Sequence, residues 1–264
     1  MAPLDLPACR RARGGRRGPP VSGRPALSVI LPVHDEAESL RVLWPELRGV
    51  LDRLGHTAEV IFVDDASTDE SPAVIRELAG TDPRVRLIRL AVNYGLTTAF
   101  HAGFAAARGD TVVTMDSDLQ SDPNDIPRLL ERLGECDAAS GWRKDRRDPW
   151  IKRAVSAVAN AIRNRVSGDH VHDSACSLRA MRRECLAAIP PYHGMHRFVP
   201  TLLRTAGYRV VEVPVHHRPR RFGRSKFTAR GRAMPAFFDL LAICWMMKRR
   251  IRYDVIEESG RARQ

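Results

Sequence analysis

The sequence predicts an α/β domain of Rossmann-like type, in which helices flank a mostly parallel sheet. From residue 27 onward, short apolar runs alternate with longer segments that carry apolar residues at helical spacing. This alternation is typical of parallel strands that are covered on both faces by helices. A length of 264 residues fits one such domain with extensions.

The elements are predicted in alternating order. We expect strands at 27–31, 60–63, 85–90, 111–115 and 137–140. Helices are expected between them, at 39–54, 71–79, 97–108 and 124–133. Beyond Trp142 the spacing predicts helices over 150–166, 195–206 and 233–247, and strands over 177–181 and 208–213. The last strand alternates in polarity and is closed by Pro214, so we expect it at an edge of the sheet.

The net charge of +12 is concentrated at the two ends of the chain. The first 25 residues carry six arginines, and residues 215–252 carry nine arginines and two lysines, so the remaining body is close to neutral. The five cysteines show no metal-binding spacing, and reduced thiols in a cytoplasmic compartment are the simplest interpretation. No apolar run is long enough to cross a bilayer, and the N-terminus lacks the apolar core of a secretory signal.

An acidic segment at 116–127 follows the fourth predicted strand. Asp116 and Asp118 are two residues apart, and the amide of Gln120 follows two residues later. Mg²⁺ or Mn²⁺ commonly binds one or two protein carboxylates and completes its coordination with water and substrate phosphates. We therefore predict a divalent cation on a diphosphate group at these three residues, although an isolated triplet of this kind can also be a solvated loop.

Three further polar segments follow the first three strands, at 32–36, 63–69 and 93–103. In a parallel sheet the carboxyl ends of the strands lie at one edge, where ligands bind, so one cleft can contain all four segments. Carboxylates at the second strand end, Asp64 and Asp65, can accept hydrogen bonds from a base imide or a ribose hydroxyl. No P-loop or G-x-G-x-x-G sequence is present.

Together these segments resemble the family 2 glycosyltransferases with a GT-A fold, and within them the polyprenyl-phosphate branch that is similar to dolichol-phosphate mannose synthase. The matching sequences are P-V-H-D-E at 32–36, V-D-D-A-S-T-D at 63–69, N-Y-G-L-T-T-A at 93–99 and D-S-D-L-Q-S-D-P-N-D-I-P at 116–127. Further matches are G-W-R at 141–143, H-D-S-A-C-S-L-R-A at 172–180 and F-G-R-S-K-F at 222–227. The resemblance covers residues 27 to 232.

The resemblance implies inverting transfer of a sugar from a GDP- or UDP-sugar to a polyprenyl phosphate, with Mg²⁺ or Mn²⁺. The implied catalytic residues are Asp118, Asp173 and Arg143, and the implied metal ligands are Asp116, Asp118 and Gln120. The nucleotide-sugar is expected at Pro32, Val33, His34, Glu36, Asp64, Asp65, Asn93 and Asp116. The acceptor phosphate is expected at Arg143, Arg147, Arg221, Arg224, Ser225 and Lys226, since arginine matches phosphate oxygens with two parallel hydrogen bonds.

This chain departs from the family pattern at four positions. His34 and Asp35 stand where the family has Tyr and Asn, which leaves the base preference open. Ala66 and Ala175 replace glycines. We expect both alanines to be tolerated, because alanine can adopt most conformations that are not left-handed.

The predicted organisation is a disordered basic tail at 1–25, a GT-A domain at 26–232, an amphipathic interfacial helix at 233–252 and a tail at 253–264. The basic, apolar helix fits peripheral attachment to the cytoplasmic face of a membrane. Alternatively, it covers the core or a dimer interface. The acceptor could instead be a glycan, a protein or another lipid. A nucleic-acid-binding protein is a remote alternative, because no nucleic-acid motif is present and we expect no nucleic acid partner.

Overall fold

A mixed seven-stranded sheet forms the centre of the part of the chain that the structure describes. The structure is a computed structural model, and it describes residues 24–144, 171–223 and 229–249. The strands are β1 Leu27–Val33, β2 Ala58–Asp64, β3 Val85–Arg89, β4 Thr111–Thr114, β5 Ala138–Trp142, β6 Arg179–Arg182 and β7 Val210–Pro214. Their order in the sheet is β3-β2-β1-β4-β6-β5-β7.

The predicted α/β class and the mostly parallel sheet are confirmed. β1 is parallel to β2 and β4, β2 is parallel to β3, and β5 is parallel to β7. β6 runs antiparallel between β4 and β5, an orientation that the apolar pattern alone does not indicate. β7 lies at the edge, as its closing proline predicts. The first strand continues through Pro32 to Val33, two residues beyond the predicted end.

Helices cover both faces of this sheet. They are α1 Ala37–Leu54, α2 Ser71–Thr81, α3 Leu96–Ala106, α4 Ile126–Arg132, α5 Val199–Thr205 and α6 Ala229–Lys248. Two predicted helices are each divided into a 3-10 turn and a shorter α-helix, Pro123–Asp125 before α4 and Met195–Arg197 before α5. Pro127 and Pro200 then stand in the first turns of the α-helices, where the missing N–H has no partner to lose. The predicted helix over 150–166 lies outside the described residues, as do residues 1–23 and 253–264.

Alternate residues of the strands face two separate apolar clusters. Val29 and Phe62 belong to the cluster under α1, α2 and α4, whereas Ile30 and Ile61 belong to the cluster under α3, α5 and α6. α3 lies very close to β1, because a Cβ added at Gly103 would be only 2.3 Å from the Cγ2 atom of Ile30. The glycine therefore sets the helix–sheet spacing on this face.

The C-terminal helix α6 has a buried face and an exposed face. Leu240, Ile243 and Cys244 are buried against the second cluster. Phe238, Leu241 and Trp245 are exposed, with relative accessibilities of 59%, 47% and 60%. Asp239 accepts a hydrogen bond from Arg197 Nη1 at 2.9 Å and so fixes the helix to the turn before α5. None of the described helices is both long enough and apolar enough to cross a membrane.

Candidate active site

The four polar segments predicted to share a cleft do lie at one edge of the sheet. Val33 at the end of β1 pairs with Asp64 at the end of β2. On the other side of β1, the backbone N–H of Met115 donates to the carbonyl of Ile30 at 3.1 Å, and Ser117 Oγ donates to the carbonyl of Pro32 at 2.7 Å. From β1 the chain adds β2 and β3 on one side of the sheet and then β4 on the other side. Such a change of side is a switch point, at which a ligand crevice opens.

The two carboxylates after β2 hold the loops around this crevice. Asp65 accepts hydrogen bonds from the backbone N–H groups of Tyr94 at 2.8 Å and Gly95 at 2.7 Å, just before α3. The fully buried Asp64 accepts from the backbone N–H of Ser67 and from Arg89 Nε, both at 3.1 Å. These two residues, expected to contact a nucleotide, therefore also set the loop geometry.

The segment after β1 faces the segments after β2 and β3. The Nε2 atom of His34 is 3.0 Å from the Nδ2 atom of Asn93, so two of the predicted donor-binding side chains are in contact. Asp35 accepts a hydrogen bond from the backbone N–H of Thr68 at 2.7 Å. Glu36 accepts from Ser39 Oγ at 2.8 Å. The loops after the first two strands are thus tied together.

Three residues at this edge have left-handed backbone conformations without being glycine. Asp35 has φ 52°, Ala66 has φ 55° and Leu119 has φ 65°. Aspartate tolerates this region, but alanine and leucine are strained in it. Alanine is expected at position 66 on the ground that the backbone there is not left-handed, and this ground is wrong, because the turn after β2 has a positive φ at Ala66. Ala175 is not among the residues with positive φ.

Asp116 and Asp118 lie close together after β4. Burial, and then the negative charge of Asp118, raises the pKa of Asp116. Burial also raises the pKa of Asp118, whose Oδ1 accepts a hydrogen bond from the backbone N–H of Gln120 at 3.0 Å. Two carboxylates whose ionised forms disfavour each other are stabilised by a divalent cation, so the side chains fit Mg²⁺ or Mn²⁺.

Within the described ranges, no three His, Cys, Asp or Glu side chains converge as a metal cage. A Mg²⁺ or Mn²⁺ ion can bind one or two protein carboxylates and take its other ligands from substrate and water. Two histidines near the sheet edge, His172 and His216, have carboxylate partners. His172 Nδ1 is 2.8 Å from Glu212, and His216 Nδ1 is 3.0 Å from Asp125.

Arg143 and Asp173 form a two-point ion pair beside the acidic loop. Arg143 Nε donates to Asp173 Oδ2 at 2.7 Å, and Nη2 donates to Oδ1 at 2.9 Å. Burial disfavours the charge of Arg143, but the pair with Asp173 outweighs it and raises the pKa of the guanidinium. Glu212 of β7 accepts from the backbone N–H of Asp173 at 3.1 Å and so positions this loop.

The segment after β7 returns along the acidic loop and brings a further arginine to it. Arg218 donates its backbone N–H to the carbonyl of Gln120 at 3.0 Å. Two residues on, Arg220 makes a hydrogen bond to Glu36, and its Nη2 atom lies 3.6 Å from Asp118 Oδ2. The adjacent Arg221, predicted to bind the acceptor, is exposed and packs over the ring of Phe222 at 5.4 Å.

Sequence reasoning missed Arg220. The signal that could have found it is the arginine-rich run after Pro214, but the sequence does not show which of two consecutive arginines points inward. The remaining predicted acceptor residues, Arg147, Arg224, Ser225 and Lys226, lie outside the described residues.

The sequence of this region decides the family. Residues 28–189 match the profile of glycosyl transferase family 2. The chain belongs to glycosyltransferase family 2. The predicted family and the enzyme class are thereby confirmed.

Several curated relatives within this glycosyltransferase family are similar over most of the chain. The undecaprenyl-phosphate 4-deoxy-4-formamido-L-arabinose transferase of Edwardsiella ictaluri (strain 93-146) is 37% identical over 203 residues, which are 76% of this chain and 62% of the relative. The transferase of the same name from Enterobacter sp. (strain 638) is 36% identical over 205 residues, with the same coverage. The family 2 glycosyltransferase described here thus spans about three-fifths of the length of these relatives.

Solved structures share the fold of this glycosyltransferase. The mannosyltransferase PcManGT from Pyrobaculum calidifontis, in complex with GDP-Man and Mn²⁺, is 24% identical with a TM-score of 0.54, over 73% of this chain and 56% of its own. Glucosyl-3-phosphoglycerate synthase from Mycobacterium tuberculosis, in complex with Mn²⁺, UDP and phosphoglyceric acid, is 22% identical with a TM-score of 0.66, over 84% and 79%. These likenesses confirm the predicted GT-A fold.

Proposed function

We propose that this glycosyltransferase moves a sugar from a GDP- or UDP-sugar to a polyprenyl phosphate in one inverting step. The observation that carries the proposal is the placement of arginines beside the acidic loop. Arg220 lies 3.6 Å from Asp118, and the positive charge of Arg143 acts on Asp116, where it partly offsets the burial that raises the pKa of this carboxyl. Acidic residues suit a metal-bound diphosphate, and arginines suit a second phosphate. The relatives named as undecaprenyl-phosphate transferases support this acceptor.

On the donor side, Asp116, Asp118 and Gln120 would hold Mg²⁺ or Mn²⁺, which when bound neutralises the leaving diphosphate. The loops after β1 and β2, at the edge of this crevice, would bind the nucleoside. Asp65 contributes by fixing the loop at Tyr94 and Gly95, and His34 and Asn93 contribute as a contacting pair. Hydrogen bonds between the loops after β1, β2 and β3 thus hold the proposed nucleotide-binding residues in place.

On the acceptor side, Arg143 and Arg220 would bind the lipid phosphate. A phosphate is already anionic near neutral pH, so the transfer needs no general base. Both carboxylate oxygens of Asp173 are engaged by Arg143. We therefore assign Asp173 as a positioning residue that holds the guanidinium, in place of the direct catalytic role that the resemblance implies.

The exposed face of α6 would dock on the cytoplasmic surface of a membrane, where a polyprenyl phosphate is found. Phe238, Leu241 and Trp245 are spaced along one side of the helix, and the sequence continues with a basic cluster at 248–252. Arg249 lies over the ring of Trp245 at 5.1 Å. Aromatic residues beside arginine suit the headgroup region of anionic lipid. The buried face covers the core, as the alternative interpretation from the sequence predicts, and only the exposed face is available for the proposed membrane contact.

The test is sugar transfer by purified protein from a panel of GDP- and UDP-sugars to undecaprenyl phosphate with Mg²⁺ or Mn²⁺. We expect a glycolipid product with one donor, loss of turnover in Asp118→Ala, and full turnover in Asp110→Ala, which changes an exposed aspartate away from the site. A second readout is the melting temperature: Mn²⁺ should raise it in wild type but not in Asp118→Ala. Wild-type turnover with a glycan, protein or diacylglycerol but none with undecaprenyl phosphate would refute the proposed acceptor.

A further inference from the structure

A groove of about 520 Å³ lies at the opposite edge of the sheet, where β1, β2 and β3 begin. Four arginines line it: Arg24, Arg84, Arg86 and Arg108. We call this feature the arginine groove. Its other lining includes Glu59 and the apolar Pro25, Ala58 and Pro83. Because the active site is built on the carboxyl ends of the same strands, the arginine groove is separate from it.

The one carboxylate in the lining is already satisfied by the protein. Glu59 is almost fully buried, and its Oε1 accepts hydrogen bonds from Ser28 Oγ at 2.6 Å and from the backbone N–H of Arg108 at 2.7 Å. Its Oε2 is paired with Arg86, whose Nη1 also donates to the carbonyl of Ala106 at 3.1 Å. Glu59 therefore holds Arg86 in place, and both of its carboxylate oxygens already accept hydrogen bonds.

Arg84 is held in a similar way. Its Nε and Nη2 atoms donate to Asp82, at 2.9 and 2.7 Å, and its Nη1 donates to Asp52 at 2.7 Å. Two of the four guanidiniums are thus neutralised and fixed in the wall.

The other two guanidiniums, of Arg24 and Arg108, leave the arginine groove with a positive surplus. Both residues are exposed, and within the described part of the chain neither side chain has an ion pair or hydrogen bond. Asp52, Asp82 and Glu59 are committed to Arg84 and Arg86. Arg84 and Arg86 are already paired with carboxylates, whereas Arg24 and Arg108 are not. These two uncompensated cations form a site for an anion with about two negative charges.

We propose that the arginine groove binds a phosphate-bearing ligand, with Arg24 and Arg108 as the binding cations and Arg86 as a preorganised third contact. The volume is in the range of small-molecule sites, and the paired guanidinium donors match phosphate oxygens. The phosphate could belong to a free molecule or to a lipid headgroup. The proposal is independent of the transfer reaction proposed above.

The experiment follows backbone amide resonances of isotopically labelled protein during titration with inorganic pyrophosphate, without divalent cations and at low salt. We expect saturable shifts at residues 58, 59, 86 and 108. The double variant Arg24→Ala/Arg108→Ala should bind at least about tenfold more weakly there, because two charge-assisted contacts are lost. Arg76→Ala, an exposed arginine of α2 with no described ion pair, is the matched control and should leave the shifts unchanged.

A second arm measures sedimentation with phosphatidylglycerol vesicles. Groove shifts with pyrophosphate that are lost in the double variant support a free phosphate ligand. Vesicle binding that is lost in the double variant, without such shifts, supports a lipid headgroup. The proposal is overturned if the double variant matches wild type in both arms, either because pyrophosphate shifts no groove resonance and vesicle binding is unchanged, or because the shifts and the vesicle binding both survive the two substitutions. Because the side chains of Arg24, Arg108 and Arg76 make no described ion pair or hydrogen bond, the double variant and the control variant should both fold normally.

Discussion

Asp173 presents both of its carboxylate oxygens to Arg143, at 2.7 Å from Nε and 2.9 Å from Nη2. The pair lies beside the acidic loop and is largely buried, with the Asp173 side chain 4% exposed and that of Arg143 18% exposed. A planar guanidinium fixed along one edge still has donors on its other edge. Those donors can bind a second anion, which makes this pair the centre of the proposed acceptor site.

The first prediction concerns this pair. Asp173→Asn should raise the KM for the polyprenyl phosphate by about 10- to 100-fold, since Arg143 loses the partner that orients it. Binding of the nucleoside diphosphate should change little. Steady-state kinetics with each substrate varied separately measures the difference, and thermal unfolding checks that the variant is folded. An equal loss for both substrates would show that Asp173 supports the whole site and not Arg143 in particular.

Asp65 provides the corresponding test on the donor side. Its carboxylate receives the N–H groups of Tyr94 and Gly95, and asparagine can accept only one of them, because its amide nitrogen would face the other donor. An unsatisfied pair of this kind costs about 1–3 kcal/mol. Asp65→Asn should therefore weaken nucleoside diphosphate binding by about tenfold, as measured by calorimetry. Unchanged affinity would separate this loop from the donor site.

Much of this architecture could be predicted from the sequence, because buried parallel strands and amphipathic helices have distinct apolar periods. The common edge of the four polar segments follows from strand direction alone. The antiparallel β6 could not be predicted, since an apolar run does not encode its direction. Neither could the choice of Arg220 over Arg221, which depends on how the segment after β7 aligns with Gln120.

The left-handed backbone conformation of Ala66 could not be predicted from the sequence either, and it gives a third prediction. A left-handed conformation costs an L-residue about 1–2 kcal/mol. Glycine adopts it without strain, but its greater loss of conformational entropy on folding costs about 0.5–1 kcal/mol relative to alanine. Ala66→Gly should therefore stabilise the protein by up to about 1 kcal/mol. Urea unfolding measures the change. Ala175→Gly is the matched control. Because Ala175 has no positive φ whose strain glycine could relieve, this substitution should leave the free energy of unfolding unchanged or lower it.

Glu59 gives a prediction for the pH dependence of stability. Burial acts to raise its pKa, but hydrogen bonds from Ser28, the Arg108 N–H and Arg86 outweigh burial and lower the pKa below the ordinary value of 4.5. A lowered carboxylate pKa stabilises the folded state above the unfolded-state pKa, and this stabilisation is lost as the pH falls through the folded-state value.

Glu59→Gln should therefore reduce the free energy of unfolding at neutral pH by about 1–3 kcal/mol. The deficit should stay constant down to about pH 4.5 and shrink at lower pH. Urea unfolding of both proteins between pH 3 and pH 7 compares them. A deficit that does not depend on pH would mean that the loss comes from packing and not from the ionised carboxylate.

The exposed face of α6 gives the last prediction, which tests the proposed attachment to membranes. Phe238, Leu241 and Trp245 each expose about half of their surface or more, and full burial of such side chains is worth about 1.5–3 kcal/mol each. The triple variant Phe238→Ser/Leu241→Ser/Trp245→Ser should therefore bind vesicles containing phosphatidylglycerol at least about tenfold more weakly in a flotation assay. The control Ala73→Ser changes an exposed apolar residue of α2, which packs against the other apolar cluster, and should float as wild type does. Wild type should also float less with neutral vesicles, since each basic residue near an anionic surface contributes about 1 kcal/mol. If the triple variant and wild type float equally, α6 is only a cover for the core, and the enzyme must reach its proposed lipid acceptor through another surface.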